Sequence, residues 1–309
     1  MCKSNIYILG LVLALNCGRL GASEVDSFSH RYELKEDASP ILNTFTNLRI
    51  DRALVEANQY IGCSEKVLRK KIKKHLSGNV IAGPVEAYVN ANIDGEIPAL
   101  RFPRKQSIYR EVTFLEAPVL VIFKSAVGGI VQIETAEGKV VVGADKFGHF
   151  FTEGLVYYKK AFEKNHGIQS VLDWGMRTEK GKFGLLTTAT YSFSDLVANY
   201  QGMTFWANLT EKKINAPGPY FACDQGEWKK IKEFDWRDYV DAGFDEGINC
   251  SRYTERVAKK VKKAIAQLET QTGLSFTCPV APDRLSGLHQ RYGDLASYLL
   301  NTSLLGANE

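Results

Sequence analysis

Apolar residues recur at helical spacing in the segment between Leu48 and His75. A stripe of this kind lies on one face of a helix, where it packs against a core. The run SEKVLRKKIKKH also opens with a helix start signal, Ser64 followed by Glu65. The pattern therefore predicts two consecutive helices. Their apolar positions are Ile50, Leu54, Ala57, Ile61, Leu68 and Ile72.

The second of these helices carries a run of basic residues. Such a run forms either a solvated helix face or a contact for an anionic envelope polymer. We interpret it as a solvated face, because charge runs on helices are most often of that kind. The residues concerned are Arg69, Lys70, Lys71, Lys73 and Lys74.

The central part of the chain, residues 116–210, is apolar with a helical pattern and is predicted to form the core. It is interrupted by TAEGKVVVGA, in which Gly138 and Gly143 bracket a short strand. Residues 78–107 combine Gly and Pro with short Val, Ile and Tyr runs. This composition predicts loops and a small hairpin before the core.

The region after the core, residues 211–280, is rich in Gly, aromatic and acidic residues and shows little periodicity. It predicts a loop-rich layer, and its acids lack the regular spacing of a calcium loop. Within it, Val257, Val261, Ile265 and Leu268 mark an amphipathic helix, and a last helix is predicted from Arg284 to Leu300. The whole pattern predicts a mainly α fold with short β and irregular segments, built as one domain over residues 24–309.

The first 23 residues have the layout of a secretory signal. A basic Lys3 precedes an apolar run, and small residues end at Ser23. A lipoprotein with its lipid attached at Cys17 is the alternative interpretation. Later stretches stay below the about 18 uncharged apolar residues expected of a transmembrane helix. We therefore expect an exported protein, periplasmic or secreted, with peripheral membrane association as an option.

Charge and cysteine content give expectations about nucleic-acid partners and disulfides. The chain has a formal charge of +4, and loss of residues 1–23 leaves 37 basic and 35 acidic residues. So small an excess predicts no nucleic-acid partner. Four cysteines remain, and an even number in an exported chain predicts two disulfides, with four free thiols as the alternative. One of the late cysteines should reach back to the first, but the pairing stays open. They are Cys63, Cys223, Cys250 and Cys278.

Two short segments hold polar residues on single helical faces. In DKFGHFFTEG, Asp145, His149 and Glu153 stand four residues apart and would form one stripe of an α-helix. In SFSDLVANYQG, Asp195 and Asn199 share a face, and a serine at the start would cap the helix. Because neither polar face has another obvious partner, we expect the two segments to form one site.

The spacing of these residues resembles a family signature. It reads Asp145, Lys146, His149, Phe150, followed by Ser192, Asp195, Asn199 and Gly202. The pattern is similar to that of the YfiM-like predicted periplasmic lipoproteins of bacteria and, more distantly, of VanZ-like membrane proteins. The resemblance covers residues 145–202, and Glu179 is the position that corresponds to a glutamate which those families usually show between the two blocks. It implies a place in the cell envelope and says little about chemistry.

The candidate site is Asp145, His149, Glu153, Asp195 and Asn199. These groups either satisfy one another inside a helical core or line a cleft, where an acid would orient His149 for proton transfer. A metal site is a third option, since one histidine and two aspartates suffice as ligands. No nucleotide, zinc-protease or nucleophile-elbow motif is present, and we expect no cofactor.

We expect a cell-envelope hydrolase that acts on a cell-wall polymer or an envelope lipid. A lysozyme-like enzyme would use Glu153 as the acid and Asp145 or Asp195 as the second carboxylate. An esterase or transferase would use His149 as the base and Ser192 or Ser194 as the nucleophile. The alternative is a non-catalytic envelope protein with a buried polar network.

Overall fold

A computed structural model describes residues 24–78, 83–92, 95–118, 120, 126–181 and 184–304. The predicted signal segment, residues 1–23, lies outside the described residues. The fold is mainly α-helical with small antiparallel sheets, as the sequence predicts. No helix in the described part of the chain is both long and apolar enough to cross a membrane.

The two helices predicted near the N-terminus are confirmed. Helix α1 spans Ser39–Ala57 and helix α2 spans Glu65–Leu76, and they pack against each other as a hairpin. Ser64 caps α2, since its side chain accepts a hydrogen bond from the Val67 amide at 3.4 Å. Ile61 does not join the buried stripe, however, because it lies between the helices and is fully exposed.

A three-stranded antiparallel sheet precedes the central helices. Strands β1 (Ala99–Leu100), β2 (Ile130–Thr135) and β3 (Gly138–Gly143) pair in that order, with Thr135 opposite Gly138 at the turn. The expected strand at β3 is confirmed, but the helical expectation for β2 is wrong. The β-branched run of β2 favours a strand, and Gly138, with a φ of 108°, allows the tight turn.

Helix α3, Pro84–Ala91, lies where the sequence predicts loops. Proline is compatible with the first turn of a helix, because the amide hydrogen that it lacks has no partner inside the helix there. The glycines and prolines of this region therefore mark the start of a short helix as well as the loops around it.

The central helices carry the two polar segments. Helix α4 covers residues 144–163 and changes type along its length, with α turns at Ala144–Gly148 and Gly154–Tyr158 and π turns at His149–Glu153 and Lys159–Glu163. Helix α5 spans Ile168–Lys180 and α6 spans Phe193–Ala207. Helices α4 and α6 pack closely along their length.

The C-terminal layer is rich in loops and 3₁₀ turns, as predicted. Strands β4 (Thr190–Tyr191) and β7 (Arg252–Tyr253) pair, and β5 (Phe221–Asp224) and β6 (Glu227–Lys230) form a hairpin. Helix α7, Glu255–Thr272, has the expected amphipathic pattern. The predicted last helix is divided into α8 (Pro282–Tyr292), a 3₁₀ turn (Gly293–Leu295) and α9 (Ala296–Leu299).

Two disulfides tie this layer, as the cysteine count predicts. Cys63 bonds Cys223, so one late cysteine does reach back to the hairpin of α1 and α2. Cys250 bonds Cys278 within the C-terminal layer. Disulfides of this kind are typical of an oxidising, exported environment.

Most buried apolar residues belong to one large cluster in which α1, α2, α4 and α6 take part. A second cluster lies between the N-terminal segment and α7. Aromatic rings fill the centre of the large cluster, where Phe150 and Phe151 of α4 contact Trp236 with centroids 4.9 and 5.4 Å apart. The apolar flank of α4 is thus fixed in the core, and its polar residues face a different neighbour.

Candidate functional site

The centre of the polar cluster is Lys146, whose side chain is completely buried. Its Nζ lies 2.8 Å from Oδ2 of Asp145, 2.6 Å from Oδ1 of Asp195 and 2.7 Å from Oε1 of Glu246. An ammonium group has three hydrogens to donate, and three carboxyl groups surround it here. Residues from α4, α6 and the C-terminal layer therefore meet at one cation.

The charge state of Lys146 follows from these neighbours. Burial by itself lowers the pKa of a lysine, but the charges of Asp145, Asp195 and Glu246 outweigh burial and raise the pKa of Lys146 well above its usual value. The lysine is therefore positively charged at neutral pH. A buried charge without partners would be strongly destabilising. The three acids therefore allow a charged lysine at this buried position.

Helix starts place two of the acids. Asp145 and Asp195 lie in the first turns of α4 and α6, where the helix dipole favours negative charge. The predicted serine cap is Ser192, which accepts a hydrogen bond from the Asp195 amide at 3.2 Å and donates one to Glu246 at 3.1 Å. The capping serine therefore also links α6 to the C-terminal layer.

Glu246 is held in place by the residue before it. Both carboxylate oxygens of Asp245 accept hydrogen bonds from Arg31, at 3.2 and 2.8 Å, and Asp245 also accepts from the amides of Val141 and Gly247. These contacts fix the loop against strand β3. The Glu246 side chain is in turn directed at Lys146.

His149 forms the second half of the cluster. Its Nε2 lies 3.3 Å from Oδ2 of Asp195, and its Nδ1 lies 3.0 Å from Oδ1 of Asn199, whose amide donates to the Tyr157 hydroxyl at 3.3 Å. Burial lowers the pKa of His149, but the charge of Asp195 is the largest effect in the opposite direction, and the pKa is raised to about 9. At neutral pH the ring is an imidazolium, which donates from Nδ1 to Asn199 and forms an ion pair with Asp195.

Glu179, in the last turn of α5, is the buried acid that the family resemblance singles out. Burial, reinforced by the charge of Asp195, raises the pKa of Glu179 to about 8, while His149 acts in the opposite direction. Burial likewise raises the pKa of Glu246 to about 8 and that of Glu24 to about 7. Glu179 therefore keeps its proton at neutral pH.

Asp195 behaves in the opposite way. Burial acts to raise its pKa, but His149 and Lys146 outweigh burial and lower the pKa of Asp195 below its usual value. This carboxylate forms ion pairs with two cations, Lys146 at 2.6 Å and His149 at 3.3 Å, and stays ionised. Asp195 is thus ionised at a pH at which Glu179 is protonated, a difference that the environment of each group imposes.

The α4–α6 contact that joins the two segments depends on glycines. A Cβ added to Gly154 would lie 2.6 Å from the backbone of Gly202, and a Cβ added to Gly202 would collide with the carbonyl oxygen of Phe150. The two backbones approach closely at this point, which only glycine permits. Because of this approach, Asn199 of α6 reaches His149 of α4.

The cluster unites Asp145, His149, Asp195 and Asn199 of the predicted site. Glu153 is not part of it, since no hydrogen bond or ion pair between described residues joins its side chain to the other four. His149 and Glu153 lie in a π turn, which is wider than an α turn and interrupts the stripe expected from a spacing of four. π turns are frequent at functional sites.

A metal ion would have to compete with Lys146. Among the described residues, Asp145, Asp195 and Glu246 bring their oxygens within 4.8 Å of one another, as metal ligands do. The space between these oxygens holds the Lys146 ammonium, which forms an ion pair with each of the three acids, although Oδ1 of Asp145 has no hydrogen-bond partner. The donor set therefore fits the resident ammonium group better than a divalent ion.

Comparison of the chain with protein-family models, curated proteins and solved structures finds no match. The site must therefore be interpreted from its own geometry.

Proposed function

We propose that this protein is an exported hydrolase that cleaves a glycosidic bond in a cell-wall polymer. Glu179 is the proton donor and Asp195 is the ionised carboxylate of the reaction. The observation that supports the proposal is the difference between the two environments: Glu179 is buried, which raises its pKa to about 8, whereas Asp195 lies 2.6 Å from the Lys146 ammonium and 3.3 Å from His149, which lower its pKa below the usual value. Glycosidases need such a division of labour between two acids.

The roles of the surrounding residues follow from this assignment. Lys146 and His149 keep Asp195 ionised, so that it can stabilise positive charge at the sugar or accept a proton from water. The Glu179 proton passes to the oxygen of the leaving group. Side chains of His149 and Asp195 are 21% and 13% exposed, whereas Lys146 is not exposed, so a substrate would approach from the side of His149.

An esterase or transferase with a serine nucleophile is less well supported. Ser192 caps α6 and donates to Glu246, and the buried Ser194 donates to the carbonyl oxygen of Asn249 at 3.5 Å. Both nitrogens of His149 contact other partners, so it is not in position to deprotonate either serine. The acid pair therefore favours glycan over ester as the substrate.

The complete pairing of Lys146 and His149 supports a second candidate function, a non-catalytic envelope protein. In that case the cluster fastens α4, α6 and the C-terminal layer to one another. Buried polar networks can specify which elements pack together.

Replacing Glu179 with glutamine separates the two candidates. The amide resembles a protonated carboxyl group, so the unfolding midpoint should stay near that of the wild type. Release of reducing ends from purified cell-wall glycan should fall by about 10²–10⁴-fold, because the proton donor is lost. Glu153→Gln is the matched control and should keep full activity. Failure of the wild type to release reducing ends, or full activity in Glu179→Gln, would contradict the hydrolase and favour the architectural role.

A further inference from the structure

Exposed apolar side chains are concentrated on the hairpin of α1 and α2. Single exposed apolar residues are ordinary on protein surfaces, but a group of them on one feature suggests an interaction site. Ile61 is fully exposed and Tyr60 is half exposed in the turn between the helices, residues 58–64, which we call the hairpin tip. Leu48 and Val55 on α1 are also exposed, at 53% and 66%.

The same hairpin has a positive net charge. Residues 48–75 contain eight basic and three acidic residues, a formal charge of +5 against +4 for the whole chain. Each of the three acids is already paired, Asp51 with Lys230, Glu56 with Lys71, Lys74 and His75, and Glu65 with Arg69.

Three lysines of α2 form an exposed face. Lys66, Lys70 and Lys73 are exposed and make no ion pair with another described residue. Their spacing of four and three residues puts them on one side of the helix. We call this set the lysine face.

The hairpin tip is firmly positioned next to the basic helix. The Lys71 ammonium lies 5.2 Å from the centre of the Tyr60 ring, so α2 and the tip are in contact. The disulfide from Cys63 to Cys223 anchors the tip to strand β5. Asn58 accepts from the Trp228 amide and donates to its carbonyl oxygen, both at 2.9 Å, which anchors it to β6. The exposed apolar residues are therefore presented by a rigid support.

We propose that the hairpin tip and the lysine face dock the protein on an anionic phospholipid surface. Tyr60 and Ile61 enter the boundary between headgroups and acyl chains, and the lysines contact the negative headgroups. A soluble anionic polymer would attract the lysines but would gain little from a fully exposed isoleucine, so the apolar tip favours a membrane. The proposal does not depend on hydrolase activity.

Sedimentation with phosphatidylcholine vesicles, with and without phosphatidylglycerol, tests the docking surface. The exported, oxidised protein should bind only vesicles that contain phosphatidylglycerol, and binding should weaken as salt is added. Replacing Lys66, Lys70 and Lys73 with glutamine should weaken binding about 100-fold, since each lysine near such a surface contributes about fivefold. Ile61→Ser should weaken it about tenfold through lost apolar burial.

Matched variants elsewhere on the surface serve as controls. Replacing Lys105, Lys164 and Lys262 with glutamine removes the same charge from exposed lysines that also make no ion pair with another described residue, and Leu186→Ser removes another exposed apolar side chain. Both should bind like the wild type. Equal losses in the control and hairpin variants, or no binding by the wild type, would overturn the proposal. The proposal would also be overturned if the protein bound soluble dextran sulfate as tightly as vesicles and if Ile61→Ser left that binding unchanged. That result would indicate a polymer as the partner.

Discussion

Replacing Lys146 with methionine is expected to lower the free energy of unfolding by about 3–5 kcal/mol at pH 8. The methionine fills a similar volume, but Asp145, Asp195 and Glu246 lose the cation that lies between them. At pH 5 the decrease in the free energy of unfolding should be smaller, because some of the acids that have lost their cation then bind protons and become neutral. Denaturant unfolding at the two pH values measures both effects.

Lys262→Met is the control for this variant. Lys262 lies on the exposed face of α7, so its replacement should change the free energy of unfolding by no more than about 0.5 kcal/mol at either pH. If Lys146→Met is as stable as the wild type at pH 8, Lys146 is not the charged centre of the cluster.

Gly202→Ala should be among the most destabilising single-methyl changes in the protein. The added Cβ would collide with the carbonyl oxygen of Phe150, and backbone atoms can yield only by moving α6 away from α4. Overpacking of this kind costs about 3 kcal/mol or more. The shift would also stretch the contact between His149 and Asn199, so the pKa of His149 should change together with stability.

The same substitution at Gly287 should have the opposite effect on the free energy of unfolding. Gly287 lies inside α8, and a Cβ built there meets no atom within 4 Å. Alanine is the better helix former, so Gly287→Ala should raise the free energy of unfolding by about 0.5–1 kcal/mol. Thermal unfolding of the two variants is a direct comparison. If both glycines respond alike, the helices do not approach as closely as described.

The sequence predicts those parts of the fold that local signals encode. The periodicity of α1 and α2, the cap at Ser192 and the even number of cysteines depend on neighbouring residues or simple counts, and each is confirmed. Strand β2 is missed because a short apolar run has no period that separates strand from helix. Helix α3 is missed because a proline such as Pro84 is typical both of loops and of the first turn of a helix.

Only part of the site can be predicted from the sequence, because only some of its residues stand at helical spacings. Asp145, His149, Asp195 and Asn199 stand at helical spacings, and the structure brings them together. Glu246 lies in a loop without periodicity, so only the folded chain shows that it faces Lys146. The spacing of four predicts that Glu153 shares a face with His149 in a regular α-helix, but the π turn at His149–Glu153 breaks that register.

The proposed chemistry requires that the fold hold Glu179 protonated and Asp195 ionised at the same neutral pH. Carboxyl carbon NMR of protein labelled at Glu and Asp measures this directly, with Glu179→Gln and Asp195→Asn to assign the two signals. We expect Glu179 to titrate near pH 8 and Asp195 to stay ionised down to pH values below its ordinary pKa of 3.8. Titration of both groups near their ordinary values, 4.5 and 3.8, would contradict this expectation.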